Sequence, residues 1–378
     1  MWWRAWIDAR SRDDSGVSTR VHVIGTGLIG ASLGIALSRN GYAVSLDDAS
    51  PTARQLAVDL GAGALAHETD EAPDLVVVAT PPDVAPTVVG GALLRWPDAI
   101  VTDVASVKGA VLAGVAQVAS PEDLSRYVGG HPMAGRERSG AAAARSDLFE
   151  GRTWVVVPHN GSRPDATALV TRMARDTGAV VVTLDAPEHD DAVAAVSHVP
   201  QVVASLVAAS LLGQPESQLR LAGQGLRDVT RIAASDPRLW VQILAGNATA
   251  IRAALADVQD RLAGVVDALA RIEAGAPEGT LAVLSRLISD GNQGYAQIPG
   301  KHGAAPTAYE IVGVVVPDTP GELARLLTDV GAAGVNLEDL HIEHGLGQAV
   351  GLAEIVVVPG AVARLREALS AKGWRVHE

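Results

Sequence analysis

Two kinds of apolar patterning divide the chain. In roughly its first half, short apolar runs such as "VHVIG" (Val21 to Gly25), "AVSLDD", "DLVVVAT", "AIVTDVA", "TWVVVP" and "AVVVTLD" alternate with segments of helical spacing. The first such segment, "LIGASLGIALSRNG", stops at Gly41. Buried strands alternating with helices predict an α/β layer of Rossmann type, a doubly wound parallel sheet. After Asp185 the pattern changes, and no strand is recognisable from Pro187 to Ile288. There "DPRLWVQILAGNATAIRAALADVQDRLAGVVDALARI" reads as one long helix, with Asp236 as N-cap and Pro237 as its first residue. Its length and apolar content predict packing on several neighbours, a partner subunit included. "GYAQIPGKHGAAP" has the composition of a linker. Beyond it the order strand, helix, strand, strand, helix, short strand predicts a ferredoxin-like βαββαβ unit. The expected divisions are a tail at 1–18, a Rossmann domain at 19–186, an all-α dimerisation domain at 187–293, a linker at 294–306 and a small α/β domain at 307–378.

Composition narrows the possibilities. The 378 residues are 48% hydrophobic with a single Phe, so the cores must be aliphatic. With no cysteine, disulfides, thiolate catalysis and thiolate metal sites are excluded, and no metal centre is expected. A reducing cytoplasm suits this composition and is the expected location. The net charge of -13, with acids and bases interspersed, argues against a nucleic-acid or membrane-surface partner. An anionic substrate would need a local cationic pocket. The opening "MWWRAWIDARSRDDSG" lacks a signal-peptide pattern, and its tryptophans either pack on the body or belong to a loose tail. The most apolar long segment, Ala192 to Leu212, contains His198, Pro200 and Gln201, which predicts a buried helix rather than a membrane span.

"GTGLIG" sets Gly25, Gly27 and Gly30 in G-x-G-x-x-G spacing between a strand and a helix. The first glycine permits a tight turn, the second lets backbone approach a pyrophosphate, and the third seats the helix near the strand. Leu28 and Ile29 open that helix, whose N-terminus would face the phosphates, and Thr80 closes "DLVVVAT". An acid at the end of the next strand, Asp47 or alternatively Asp48, would hold the adenosine ribose and favour NAD over NADP.

"GGHPMAGRERSG" (Gly129 to Gly140) is too glycine-rich for a helix and too interrupted for a strand, so it reads as a shaped loop that presents His131. At this point the motifs combine. "GTGLIGASL", "TDVASVKG", "GGHPMAGRERSG", "VSHVPQ" and "GLRDVTRIAASDPRLW" occur in order from Val21 to Trp240, and the chain resembles the prephenate dehydrogenases of tyrosine biosynthesis. Arg136 departs from the smaller residue of many relatives, which bears on substrate preference. The resemblance implies oxidative decarboxylation: NAD+ takes a hydride from C4 of a cyclohexadiene ring and the C1 carboxylate leaves as carbon dioxide.

Under this resemblance His131 accepts the C4 hydroxyl proton, with its flanking glycines admitting substrate and Pro132 stiffening the loop. Ser106 either caps a helix or bonds the hydroxyl and nicotinamide region. Lys108 is either a solvated side chain or part of the pocket rim. Arg231 would bind a substrate carboxylate bidentately, with Asp228 on the same helical face to orient it. His198 would face the substrate side chain, although alone it reads as a core histidine. Trp240 is either pocket wall or core.

"VVVPDTPGELARLL" resembles the entry of an ACT domain, a small-ligand regulatory module. Asp318, Pro320 and Gly321 would form a turn at a helix N-terminus, with Asn336 as a further contact, and tyrosine would be the effector. A structural pairing unit without ligand is the alternative. The resemblance thus implies a homodimeric, tyrosine-sensitive prephenate dehydrogenase. Its rivals are an arogenate dehydrogenase, a catalytically silent NAD and amino-acid sensor, and a β-hydroxyacid dehydrogenase, for which no matching lysine motif is found.

Overall fold

The computed structural model describes residues 18–67, 70–134, 140–298, 309–344 and 349–377. Arg136, the tail before Ser18 and the linker from residue 299 lie outside the described residues. The chain divides into two compact units, Met1–Gln259 and Asp260–Glu378.

The first unit opens with β1 (Arg20–Ile24), α1 (Leu28–Arg39), β2 (Ala43–Asp47), α2 (Pro51–Asp59) and β3 (Ala64–Leu65). Next come β4 (Leu75–Val78), α3 (Ala85–Arg95), β5 (Ile100–Asp103), α4 (Gly109–Val118), α5 (Pro121–Leu124) and β6 (Tyr127–Pro132). The α/β layer closes with β7 (Thr153–Val157), α6 (Pro164–Asp176) and β8 (Val180–Thr183). The eight strands run in the order β3-β2-β1-β4-β5-β6-β7-β8. The chain steps outward from β1 to β3 and then returns to β4 on the other side of β1. A crevice therefore opens between the carboxyl ends of β1 and β4, where such sheets bind ligands.

Alternate residues of the strands face two cores. Val21, Val23 and Val77 pack with Leu33 and Leu37 of α1, while Val76, Val78 and Val101 pack with Val89, Leu93 and Val111 of α3 and α4. This covering of both faces is why the strands read as continuous Val runs.

Two expectations fail here. The sheet is not wholly parallel, because β6 and β7 pair antiparallel with His131 opposite Val155. And "GGHP" is not a loop: it lies within β6, all six residues of which are buried. The glycine pair there permits close packing. A Cβ on Gly130 would stand 2.7 Å from the Asp103 carbonyl oxygen, and one on Gly129 3.2 Å from Lys108 Cδ.

A helical layer follows: α7 (Ala186–Val193), a π turn (Ala194–His198), α8 (Val199–Ala209), α9 (Glu216–Leu219), α10 (Gln224–Thr230), a 3-10 turn (Arg231–Ala233), α11 (Pro237–Gly246) and α12 (Ala248–Glu273). Asp236 caps α11 by accepting from Arg238 N–H, and Pro237 is its first residue, as the sequence predicts. The single long helix is broken, however. Asn247 separates α11 from α12 and the chain bends there by 94°. The apolar segment around Ala192 to Leu212 is also less buried than expected. His198, Gln201 and Ala204 face inward, but Val196 and Leu206 are 70% and 64% exposed. Among the described residues, Ala186–Ala209 is the one helix long and apolar enough by itself to cross a membrane, and 28% of its apolar window is buried.

The second unit contains α13 (Thr280–Tyr295), which takes in the first residues of the expected linker, and a separate four-stranded sheet. The sheet is built from β9 (Glu310–Pro317), α14 (Glu322–Ala332), β10 (Asp339–His344), β11 (Val350–Val357), α15 (Val362–Ala371) and β12 (Arg375–His377). Its antiparallel order, β10-β11-β9-β12, realises the βαββαβ pattern. Val312, Val314, Ile355 and Leu365 are among its core residues.

Candidate active site

The glycine turn lies at the mouth of the crevice. Gly25 has φ +100°, and a Cβ there would come within 2.6 Å of the Ala79 carbonyl oxygen. A Cβ on Gly30 would lie 1.9 Å from the Gly25 carbonyl oxygen, whereas one on Gly27 would meet nothing within 4 Å. Gly25 and Gly30 thus close the turn, and Gly27 leaves open space at the N-terminus of α1 (Leu28, Ile29), which no side chain caps. The Thr80 hydroxyl, just past β4, is buried with no partner among the described residues. Open backbone, an uncapped helix N-terminus and an orphaned hydroxyl together suit a dinucleotide pyrophosphate.

The two acids after β2 divide their work. Asp48 Oδ2 accepts from Thr26 N–H at 2.6 Å and from Thr26 Oγ1 at 2.9 Å, bracing the glycine turn. Asp47 ends the strand, is part exposed, and pairs with Arg54 Nη1 at 3.1 Å. Asp47 and Asp48 are both half-buried at the end of β2, beside the glycine turn.

β4, β5 and β6 follow β1 in the sheet, all parallel, so their carboxyl ends share one edge. His131 stands at the end of β6 on that edge, 9% exposed. Its Nδ1 lies 2.8 Å from Nε2 of His189, and His189 Nδ1 lies 2.8 Å from Asp190 Oδ1. Burial first, then electrostatic interaction with His189, Lys108 and His198, holds the His131 pKa well below its ordinary value, so its imidazole is neutral at pH 7.

Asp190 also caps α4. Its two oxygens accept from the backbone N–H of Lys108 and Gly109 at 2.9 and 2.8 Å. Burial alone would raise the Asp190 pKa, but the His189 hydrogen bond and these two amides outweigh it and hold it below the ordinary value. Ser106 therefore does not cap α4: Lys108 occupies the cap position and Asp190 supplies the acceptor. Ser106 sits in the turn between β5 and α4, at the same sheet edge.

Neither sequence reading of Lys108 holds. Its side chain is 1% exposed; Nζ donates to Asp103 Oδ1 and, at 2.7 Å, to the Gly130 carbonyl. Tyr127 donates its hydroxyl to Asp103 Oδ2 at 2.6 Å. Burial pulls the Lys108 pKa down, Asp103 opposes it, and the Tyr127 phenol is pushed well above its ordinary value. This internal ion pair pins the glycine pair of β6, and so the backbone before His131.

The helical layer joins the same network. Asn247 Nδ2 donates to the Asp190 carbonyl at 2.7 Å and lies 3.3 Å from His198 Nδ1. The His198 and Trp240 rings meet edge to face with centroids 6.0 Å apart. Trp240 is partly buried against the core of the sheet face. Burial lowers the His198 pKa to about 4, against the raising effect of Asp190. Pro200 cannot donate to the Val196 carbonyl, and the helix widens into the π turn that ends at His198. Arg231, exposed, begins the 3-10 turn, and Ser235 just beyond it reaches Gln201 of α8 at 3.5 Å. Asp228 accepts from Gln224 Nε2 at 2.7 Å. Sequence reasoning missed His189, Asp190, Asn247 and Asp103. One available signal was the capping box at Asp185 and Glu188, which fixes the phase of α7 and turns His189, Asp190 and Val193 inward.

At the small sheet, Gly321 has φ +94° and stands at the N-terminus of α14 with Asp318 and Pro320 exposed before it. Asn336 Nδ2 donates to Glu338 Oε1 at 3.2 Å.

Comparison with known proteins agrees with this geometry. Residues 33–183 match the prephenate dehydrogenase nucleotide-binding domain, and residues 185–277 match the prephenate dehydrogenase dimerization domain. A Streptomyces niveus protein described as probable prephenate dehydrogenase NovF is 36% identical over 93% of this chain and 98% of its own. The Bacillus subtilis prephenate dehydrogenase is 30% identical over 84% of this chain and 86% of its own. Among solved structures, the Aquifex aeolicus prephenate dehydrogenase in complex with hydroxyphenyl propionate and NAD+ superposes with a TM-score of 0.63 at 28% identity, covering 73% of this chain and 99% of that one. The Synechocystis arogenate dehydrogenase gives 0.59 at 25% identity over 73% and 99%. The chain belongs to the prephenate dehydrogenase family of NAD-dependent oxidoreductases.

Proposed function

We propose that the protein converts prephenate to 4-hydroxyphenylpyruvate by oxidative decarboxylation in tyrosine biosynthesis, with His131 as proton acceptor. The observation that carries this reading is a buried imidazole, held neutral, at the sheet edge that also bears the glycine turn. When bound, NAD+ supplies the acceptor for the C4 hydride. His131 takes the C4 hydroxyl proton as that carbon is oxidised, and Ser106 bonds the same hydroxyl. Arg231 holds a substrate carboxylate with its planar fork, and Asp228 sits one helical turn before it. His198 and Trp240 wall the side-chain end of the substrate. Loss of the C1 carboxylate as carbon dioxide sends its bonding electrons through the ring toward the C4 oxygen, and the protonated His131 returns the proton there to give the phenol. Gly25, Gly27, Leu28, Ile29, Gly30 and Thr80 form the pyrophosphate cradle, and Asp47 takes the ribose.

The βαββαβ unit reads as an ACT module that binds tyrosine at the Asp318, Pro320, Gly321 turn and Asn336. The proposed state is a cytoplasmic homodimer, and the proposed domain limits are those expected from the sequence. NADH formation from prephenate tests the activity: turnover that is lost in His131→Ala while NAD affinity is kept supports it, and unchanged turnover refutes it. A higher kcat/KM with arogenate than with prephenate would assign the neighbouring substrate. Absence of tyrosine inhibition would leave the small domain a structural pairing unit.

A further inference from the structure

We propose that His189 and Asp190 are positioning residues that set the tautomer of His131, leaving Nε2 of His131 as the unprotonated nitrogen that meets the substrate. The inference rests on the reading of His131 as proton acceptor, and it adds which atom accepts and what selects it.

Asp190 already accepts two backbone amides of α4 and is held ionised, so it can only accept. His189 Nδ1, 2.8 Å from Asp190 Oδ1, must therefore carry a proton. A neutral imidazole with its proton on Nδ1 has its lone pair on Nε2. His189 Nε2 is 2.8 Å from His131 Nδ1, so His131 Nδ1 is the donor of that bond. The lone pair of His131 is thereby confined to Nε2. Were His189 instead a charged imidazolium, it would donate from both nitrogens, and His131 would offer an N–H at Nε2 with no acceptor for the hydroxyl proton. The two arrangements differ by a single proton and are distinguishable.

Both rings are held against rotation. His189 is fully buried and meets His131 edge on, with centroids 5.1 Å apart. Asn247 fixes the backbone behind it by bonding the Asp190 carbonyl. In turnover the hydroxyl proton goes to His131 Nε2, the Nδ1–H bond to His189 is retained, and the Asp190 carboxylate lies two rings away to stabilise the resulting charge.

The test is made on the full-length enzyme labelled with 15N-histidine. Nitrogen spectra at neutral pH should show His131 Nε2 unprotonated and Nδ1 protonated in the wild type. His189→Leu should mix the two tautomers and lower kcat on the order of 100-fold, with little change in KM or NAD affinity. His189→Gln places an amide oxygen near the position of Nε2 and should restore most of the kcat. A protonated His131 Nε2 in the wild type would overturn the proposal, even if His189→Leu did not fold. So would a His189→Gln enzyme as slow as His189→Leu. Full turnover in His131→Ala with the expected tautomer present would instead refute His131 as the acceptor.

Discussion

His198 shows how burial tunes one side chain and exposes the fold to acid. Its pKa is lowered to about 4 in the folded chain, against an ordinary value of 6.5. The unfolded chain therefore takes up this proton first as the pH falls. The stability tied to a neutral His198 is complete above about 6.5 and is lost as the pH drops toward 4. His131 shifts in the same direction. Urea unfolding of His198→Gln should depend less steeply on pH than the wild type across that window, by at least about 1 kcal/mol at its acid end. Equal slopes would show that His198 titrates normally. His131 was legible because its motif stands out in the sequence. Lys108 and Asp103 were not, because a lysine after a strand usually reaches water. The inward turn of Lys108 depends on partners that local sequence does not reveal: the Gly130 carbonyl, which accepts from Nζ, and Tyr127, which holds the Asp103 carboxylate.

At the scale of elements, the strands of the α/β layer and the βαββαβ unit were readable because Val-rich runs and helical spacing are local signals. β6 was hidden because its glycine pair is dictated by atoms of β5 and Lys108, which no local pattern reveals. The elbow between α11 and α12 was hidden for a related reason. Helical periodicity continues through Asn247, and the break is fixed by tertiary bonds to the Asp190 carbonyl and His198. Asn247→Ala removes a buried donor from both and should destabilise the fold by about 1–3 kcal/mol. It should also raise KM for prephenate by loosening the His198 ring, while NAD affinity stays constant. A variant as stable as the wild type would mean that the bend is set by the neighbouring backbone alone.

For the whole molecule, the telling feature is apolar surface left uncovered on α12. Leu262, Val266 and Leu269 are 61%, 59% and 52% exposed and recur at helical spacing along one face. They lie within the stretch that matches the family's dimerization domain. A second copy of the chain is the natural cover for such a stripe. Leu262→Glu with Val266→Glu places two charges in it, and sedimentation should change from dimer to monomer. A dimer that survives both charges would place the interface elsewhere.

The Asp190 carboxylate also has a consequence for motion. Its Oδ1 accepts from the Lys108 N–H and also meets His189 Nδ1, while its Oδ2 accepts from the Gly109 N–H. A displacement of α4 would therefore pull on His189 and, through it, on His131, so one carboxylate links the start of that helix to the imidazole pair.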